Sequence, residues 1–386
     1  MKISHFVSAA LAFYLLFSMV SISVSQIMLG IAFILWVIAL IKSKQKIEFP
    51  GFFWALLVYI ALSLLSCVFS DNPQVSFLDS RELLLFLIVP LVYTGFQKIK
   101  DIKTAHLALL ASGCVSVLFS LFVFAFQHES GERISGFMGH YMTQAGLLLL
   151  FATLAFSMLL FSKNSIRYIW GGAFFLSSIA LILTMTRNAW IGLVVSVFVI
   201  LLLYKPKGVV VIPVVLALTF LISPKSVKKR ALSVFSLKSY SNAIRIEYLK
   251  AGWKIIKEYP IFGTGPDTVD VIFQNPKYNL SRDARSNVHL HSNIMQIAAE
   301  RGLLALLSWL AFVSWALISL WKMIQNKLPS LFPLTAAALA VLLALFIAGF
   351  FEYNFGDSEV VTLFLYLITV PFAAQRILQL KESKKI

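Results

Sequence analysis

Four residues in this chain have the types and settings for chemistry: His289 and His291 in the run His289-Leu290-His291-Ser292-Asn293, and two arginines, Arg187 and Arg245. Histidine is the side chain whose charge changes nearest neutrality, so an uncharged ring can take a proton from a hydroxyl. Asn293 reads as the N-cap of a helix, with Gln296 at the third helical position, close to a capping box. That sets His291 just before a helix N-terminus, where the positive end of the dipole favours the uncharged, proton-accepting ring. His289 competes for the same role, and either could be a loop histidine satisfied by its neighbours. Arg187 falls in Thr184-Met185-Thr186-Arg187-Asn188, where an apolar stretch from 168 to 204, too long for one span, has to turn. An arginine at the mouth of two apolar helices is costly unless it is paired, hydrated or snorkelling to lipid phosphate. Arg245 shares a helical segment with Lys250, Lys254 and Lys257, and a solvated face would account for it equally. Guanidinium groups stay charged and meet phosphate oxygens through a planar fork. The chemistry these types allow is proton abstraction beside an anionic group.

The elements that position them are apolar. Hydrophobic residues make up 59% of the 386 and charged residues 13%, and the mean hydropathy is +0.86. A soluble chain is about 45–50% apolar, so this is a polytopic membrane protein. Runs on the scale of a span, roughly 17–25 residues, occur near 5–24, 26–41, 52–69, 83–97, 104–127, 143–161, 168–184, 188–204, 208–223, 303–321, 331–351 and 360–378. The reading is all-α, with about twelve transmembrane helices. Residues 1–223 hold the first nine, 224–302 form a large outer loop domain, and 303–386 hold the last three and a cytoplasmic tail. The N-terminal run after Lys2 reads as a retained span.

Basic residues give the orientation. With the N-terminus inside, Lys2, Lys42, Lys44, Lys46, Lys98, Lys100, Lys103, Lys163, Arg167, Lys205, Lys207, Lys322, Lys327, Arg376, Lys381, Lys384 and Lys385 all fall on the cytoplasmic side. The short outer loops carry only Arg81, Arg133 and Arg187, while Asp71, Asp79, Glu82, Glu129, Glu132, Glu352 and Asp357 fall outside. Such asymmetry is the positive-inside pattern, and it accounts for much of the net charge of +16 without nucleic acid, for which no basic helical stripe or aromatic–basic motif is present. Long loops cross largely regardless of charge, so the basic excess of the 224–302 segment does not conflict with the topology. That excess suits an anionic ligand, or equally anionic lipid headgroups. Inside the segment, Ser241 or Asn242 can cap a helix on which Ile246, Leu249, Trp253 and Ile256 recur at helical spacing, ended by Pro260. Gly263-Thr264-Gly265-Pro266-Asp267 is a tight turn, a weak candidate for phosphate contact.

Several classes are excluded by what the sequence lacks. There is no Asp-x-Asp pair for a metal-held nucleotide sugar, no His-Glu-x-x-His and no Gly-x-Ser-x-Gly nucleophile elbow. The spans carry almost no ionisable residues, against an ion-coupled transporter. Cys67 and Cys114 both lie in apolar runs and read as buried small hydrophobes.

The His291 segment resembles the O-antigen ligase family, whose signature is His, then Asn, Ser or Gln, nine residues, and Gly-x-x-Gly. Here it reads His291-Ser292, nine residues from Asn293 to Arg301, then Gly302-Leu303-Leu304-Ala305, with Ala305 where the second glycine would stand. Thr186-Arg187-Asn188-Ala189-Trp190-Ile191-Gly192 is similar to the family's Ser-Arg-Gly-Ala-Trp-x-Gly segment. Arg245 through Tyr259-Pro260-Ile261-Phe262-Gly263-Thr264-Gly265-Pro266 resembles its arginine helix and Pro-x-x-Gly-x-Gly-Pro turn. The resemblance implies a fold similar to the multi-span (GT-C-like) glycosyltransferases. It implies transfer of a glycan from an undecaprenyl-diphosphate carrier to an acceptor hydroxyl, lipid A-core for the ligases, at the periplasmic face of the inner membrane, with no cofactor and no metal. Related members polymerise O-antigen repeats or glycosylate proteins. His291 would be the base, with Arg187 and Arg245 on the diphosphate and Gly263, Gly265, Ser292 and Asn293 touching substrate. Direct attack on the anomeric carbon would invert it. A lipid-linked glycan transporter and a non-catalytic scaffold remain the readings outside the enzyme class.

Overall fold

The computed structural model describes residues 3–44, 46–126, 133–163, 165–236, 239–326 and 328–383. Lys2, Lys327, Lys384, Lys385, Glu129 and Glu132, which enter the charge count above, lie outside the described residues. Among the described residues the regular structure is helical throughout. The first part of the chain forms α1 (Ile3–Phe17), α2 (Ile22–Ser43), α3 (Phe53–Val68), α4 (Pro73–Asp79), α5 (Ile88–Gly95), α6 (Ile99–Phe126), α7 (Tyr141–Phe161), α8 (Ile166–Leu183), α9 (Arg187–Tyr204) and α10 (Val211–Ile222). The outer segment holds α11 (Lys225–Leu232), α12 (Tyr240–Glu258), α13 (Val269–Phe273) and α14 (Arg282–Arg285), and the chain ends with α15 (Asn293–Gln325), α16 (Phe332–Ala348) and α17 (Ser358–Glu382).

Seven of these helices, α2, α6, α7, α8, α9, α15 and α17, are long and apolar enough to cross a membrane. Four more expected spans are shorter apolar helices: His5–Phe17, Phe53–Val68, Pro206–Ile222 and Phe332–Ala348. The expected span at 83–97 is not one helix. It is a 3₁₀ stretch, Ser80–Leu87, followed by α5. Pro90 explains the break, because a proline deep in an α-helix removes a donor and clashes with the carbonyl four residues earlier. It is tolerated here in the first turn of α5.

The interior is built on α7, α16 and α17, the most enclosed helices. Their small residues allow close approach, the usual basis of helix packing in a bilayer. Gly146 faces Val360, and Gly192 of α9 faces Leu149 and the Ala344 carbonyl. By contrast α10 has no buried residue. An ion pair between Arg376 Nε and Glu48 Oε2 (2.7 Å) joins the end of α17 to the α2–α3 loop, two segments the basic-residue pattern puts on one side.

The outer segment meets the spans at a kink. Gly302, φ +82°, interrupts α15, close to the expected domain boundary at 302/303. A break there frees backbone groups of the last turn before it. The 260–265 turn satisfies them: Thr264 N–H donates to the Ala299 carbonyl (3.0 Å), Gly265 N–H to the Glu300 carbonyl (2.9 Å), and Leu303 N–H to the Pro260 carbonyl (2.8 Å). Ser66 Oγ donates to the Glu300 carbonyl as well (2.8 Å). The apolar face of α12 differs from expectation. Of the expected positions Ile256 is buried, but Leu249 and Trp253 are exposed, and the helix buries Tyr248, Ala251, Gly252 and Ile255 beside Ile256. The reason is proximity: a Cβ at Gly252 would lie 2.9 Å from Met295 Cε, so only small residues allow α12 this close to the start of α15.

Candidate active site

His291 is held at φ +49°, a left-handed conformation that non-glycine residues adopt rarely and at a cost of about 1–3 kcal/mol. What holds it is visible on both sides. Next in the chain, Ser292 is the N-cap of α15, its Oγ accepting from Met295 N–H at 3.5 Å. The expected cap, Asn293, is the first helical residue instead. Gln296 does reach back, but its Oε1 accepts from Leu290 N–H (2.7 Å). Asn293 is buried and works as a staple. Its N–H donates to the Gly349 carbonyl (2.7 Å), its Nδ2 to Asn354 Oδ1 (2.8 Å), and its Oδ1 accepts from Phe355 N–H (3.1 Å). These bonds fasten the loop between α16 and α17 to the start of α15.

That loop delivers Glu352. His291 Nδ1 lies 3.0 Å from both carboxylate oxygens of Glu352, with the two side chains 17% and 10% exposed. An Nδ1–H donated to a carboxylate fixes the tautomer and orientation and leaves Nε2 as the basic nitrogen. Nε2 makes no hydrogen bond to a described residue. Burial pushes the Glu352 carboxyl up, but the His291 hydrogen bond and the charges of His291, Arg245 and His289 outweigh it and hold the group below the ordinary carboxylate range. Glu352 Oε1 also accepts from Tyr353 N–H (3.3 Å). The Tyr248 ring packs at a tilt against the imidazole, with ring centroids 5.5 Å apart. The Tyr248 hydroxyl is itself fixed between Asn287 Nδ2 (2.7 Å) and the Ala284 carbonyl (3.1 Å).

His289 is built differently. Its ring packs edge-on against Tyr353, centroids 5.3 Å apart, and its buried Nδ1 has no partner among the described residues. Burial, above the other influences, favours its uncharged form. No carboxylate orients it, so of the two histidines only His291 has the support a general base needs.

The arginines gather nearby. Arg187 is buried at the first position of α9, after a turn in which Met185 has φ +54°. A cation there opposes the helix dipole. Neutral oxygens hold it: Nη1 donates to Ser233 Oγ (3.0 Å) and Nη2 to Ser241 Oγ (3.0 Å) and Asn242 Oδ1 (2.6 Å). Ser241 and Asn242 are thus engaged with Arg187, and the α12 N-cap is Ser239. Arg245 makes no hydrogen bond or ion pair with a described residue. Burial lowers its pKa, while the charges of Glu352 and Tyr141 raise it and that of Arg133 lowers it. Two arginines not singled out from the sequence as site residues complete the group. Arg230 donates from Nε to the Met185 carbonyl (3.0 Å). Burial first, then the charges of Arg133, Arg187 and Arg245, push its pKa down to about 10. Arg133 lies over the Tyr141 ring, 4.3 Å from its centroid. This is a basin of mutually repelling guanidiniums, none in an ion pair among the described residues, and it borders the His291–Glu352 pair through Arg245. It suits a ligand with several anionic oxygens.

The glycines expected to touch substrate have packing roles. A Cβ at Gly263 (φ +69°) would collide with the Glu300 carbonyl, and one at Gly265 (φ +103°) with Ser70. Among the described residues no group of three or more His, Cys, Asp or Glu is arranged to hold a metal ion.

Residues 172–310 match the model of a family described as O-antigen ligase. That stretch contains Arg187, Arg245, His291 and Gly302, so the family resemblance read from those motifs holds. Glu352 and Arg133 lie outside it. A protein from Haemophilus influenzae, described only as an uncharacterized protein, is 27% identical over 301 residues, which cover 71% of this chain and 74% of the relative.

Proposed function

We propose that this chain is a metal-independent, inverting glycosyltransferase of the cell envelope. It moves a glycan from undecaprenyl diphosphate to an acceptor hydroxyl, that of lipid A-core, at the periplasmic face of the inner membrane, on a twelve-span GT-C-like scaffold. The observation that carries this reading is the His291–Glu352 pair bordering a basin of arginines without carboxylate partners. The acceptor hydroxyl gives its proton to His291 Nε2 as its oxygen attacks the anomeric carbon. The bond from that carbon to the diphosphate oxygen breaks, and the electron pair leaves with the diphosphate. Arg187 and Arg245, with Arg230 and Arg133, stabilise the charge that builds on the phosphate oxygens, a role for which preorganised, water-excluded donors are most effective. Four guanidiniums supply the positive charge a divalent ion would otherwise bring. Glu352 keeps Nδ1 protonated and stabilises the imidazolium that forms.

The test is transfer by the purified protein in nanodiscs, given the diphosphate-linked glycan and a panel of acceptors: lipid A-core, a second carrier-linked repeat, and a protein. Product on lipid A-core, unaffected by EDTA and lost in His291→Ala, is the expected result. Product on the carrier-linked repeat would make it a polymerase, and product on protein a protein glycosyltransferase. Full activity in His291→Ala would overturn the enzyme reading in favour of a transporter or scaffold.

A further inference from the structure

On the other side of the Glu352–Tyr353 wall the charge reverses. Arg301, buried at the α15 kink, pairs with Glu300 (2.9 Å) and Asp79 (3.2 Å) and donates to the Tyr353 hydroxyl (3.2 Å). Asp79 in turn lines a cavity of about 730 Å³ between α2, the Ser80–Leu87 stretch and α5. The cavity lining divides into a polar set, Asp79, Glu82, Asp267, Arg81, Gln26 and Ser358, and an apolar set, Phe33, Ile88, Leu91 and their aliphatic neighbours. Along α2 the order runs from polar Gln26 to apolar Phe33, which gives the cavity a polar and an apolar end. Gln26, Leu29, Gly30 and Phe33 follow one face of α2, and from Gln26 to Phe33 that face descends roughly 10 Å. At Gly30 the wall is open: a Cβ there meets nothing within 4 Å.

We propose that this cavity is a second lipid site, for an amphiphile whose head presents hydroxyl or ammonium donors and whose chain lies along α2. It is separate from the arginine basin and has the opposite charge preference. Carboxylates outnumber cations at the polar end: among the described residues Arg81 is the one guanidinium lining it, and Arg301 behind it is already shared between Asp79 and Glu300. The crowding is felt at Glu82, whose carboxyl is pushed up to about 7 by burial and then by the charge of Asp79, with Glu359 and Asp267 adding to it and Arg301 opposing. A phosphate head would add to that repulsion. Sugar hydroxyls or an ammonium would relieve it by donating to carboxylate oxygens, the stronger class of hydrogen bond. The apolar end needs an occupant of its own, and an alkyl chain supplies it at about 0.8 kcal/mol per buried methylene. The site does not depend on what the arginines bind.

The test uses the full-length protein in phosphatidylcholine nanodiscs and three probes with one tail: decyl maltoside, decylammonium and decyl phosphate. Binding is measured by native mass spectrometry below the micellar range. Maltoside and ammonium probes should bind saturably, with decyl phosphate roughly tenfold weaker or worse. Gly30→Leu fills the open wall and favours the helix, so the protein should still fold while both probes weaken at least about tenfold, the effect of losing a few buried methylenes. Glu82→Gln should weaken decylammonium roughly tenfold and the maltoside less. Equal binding of all three probes, unchanged in Gly30→Leu, would mean partition into the bilayer and overturn the proposal. So would decyl phosphate binding most tightly.

Discussion

At the scale of the residue, the assignment turns on Glu352. A histidine base is only as good as the group that fixes its tautomer, and the two Nδ1 contacts at 3.0 Å supply that for His291 and not for His289. Glu352→Gln keeps the shape and removes the charge that stabilises the imidazolium. It should lower kcat by roughly 10²–10⁴-fold and leave KM for the diphosphate-linked donor nearly unchanged, read from steady-state transfer kinetics. His289→Ala should be mild in the same assay. A variant that raised donor KM and spared kcat would move Glu352 from the base to the binding of donor. The same carboxylate gives a stability prediction. Its pKa is lower in the folded protein than the ordinary value of 4.5, so between those two values the unfolded chain binds more protons, and stability rises with pH there. The stabilisation is fully present above about pH 4.5 and is lost as pH falls through the folded value. Thermal unfolding in detergent should therefore show the wild type losing more Tm than Glu352→Gln between pH 6 and pH 4.

At the scale of the element, the glycines of the 260–265 turn and Gly302 form the joint between outer segment and span. A Cβ at Gly302 would collide with the Ile261 carbonyl, and Gly263 meets the Glu300 carbonyl in the same way. Gly302→Ala and Gly263→Ala should each cost about 1–3 kcal/mol from the backbone alone, and more from the contact with backbone oxygen, which cannot move aside as a side chain can. Gly139, φ +70° with open space around it, should cost only the backbone part. Gly30→Ala should be neutral or slightly stabilising. Unfolding midpoints of the four variants give the ranking, and a neutral Gly302→Ala would remove the joint. These glycines also mark where sequence reading reached its limit. Gly-x-Gly beside a basic helix invites a phosphate-loop reading, and phosphate contact and close packing both need backbone without a Cβ; the packing use is visible only in the folded contacts. The turn at Arg187 was legible because apolar length forces it. The Arg187 partners were not, since Ser241 and Asn242 look like caps in one dimension. The inward face of α12 was misread because close approach selects Ala251 and Gly252 over Leu249 and Trp253. Glu352 gave no local signal beyond an acid in an outer loop, and its role arises only when Asn293 draws that loop to His291 across 61 residues of chain.

At the scale of the whole molecule, the question is which way the site faces. The groups that meet there come from segments far apart in sequence: Arg133 between α6 and α7, Arg187 between α8 and α9, Arg245 and His291 from the 224–302 segment, and Glu352 between α16 and α17. Each is a segment the basic-residue pattern assigns to the outside. Glu48 and Arg376, which pair with each other, come from segments it assigns to the inside. A wrong crossing count between any two of these segments would have put one contributor at the opposite end of the bundle, so the folded contacts and the positive-inside pattern support each other on relative sidedness. Absolute orientation then follows from a single accessible position on each face. With Cys67 and Cys114 replaced by serine, cysteine at Ser281 or Phe351, both exposed in outer segments, should react with an impermeant thiol reagent in intact spheroplasts. Cysteine at Gln325, exposed at the end of α15, should react only after the membrane is opened. Asp357 lies in the same outer loop but is half-buried, with its Oδ1 enclosed, so Phe351 is the better position for the experiment. Labelling at Gln325 with Ser281 and Phe351 protected would invert the molecule and put the arginine basin in the cytoplasm. Labelling at Ser281 but not Phe351 would separate His291 from Glu352 across the bilayer and contradict the 3.0 Å contact on which the catalytic reading stands.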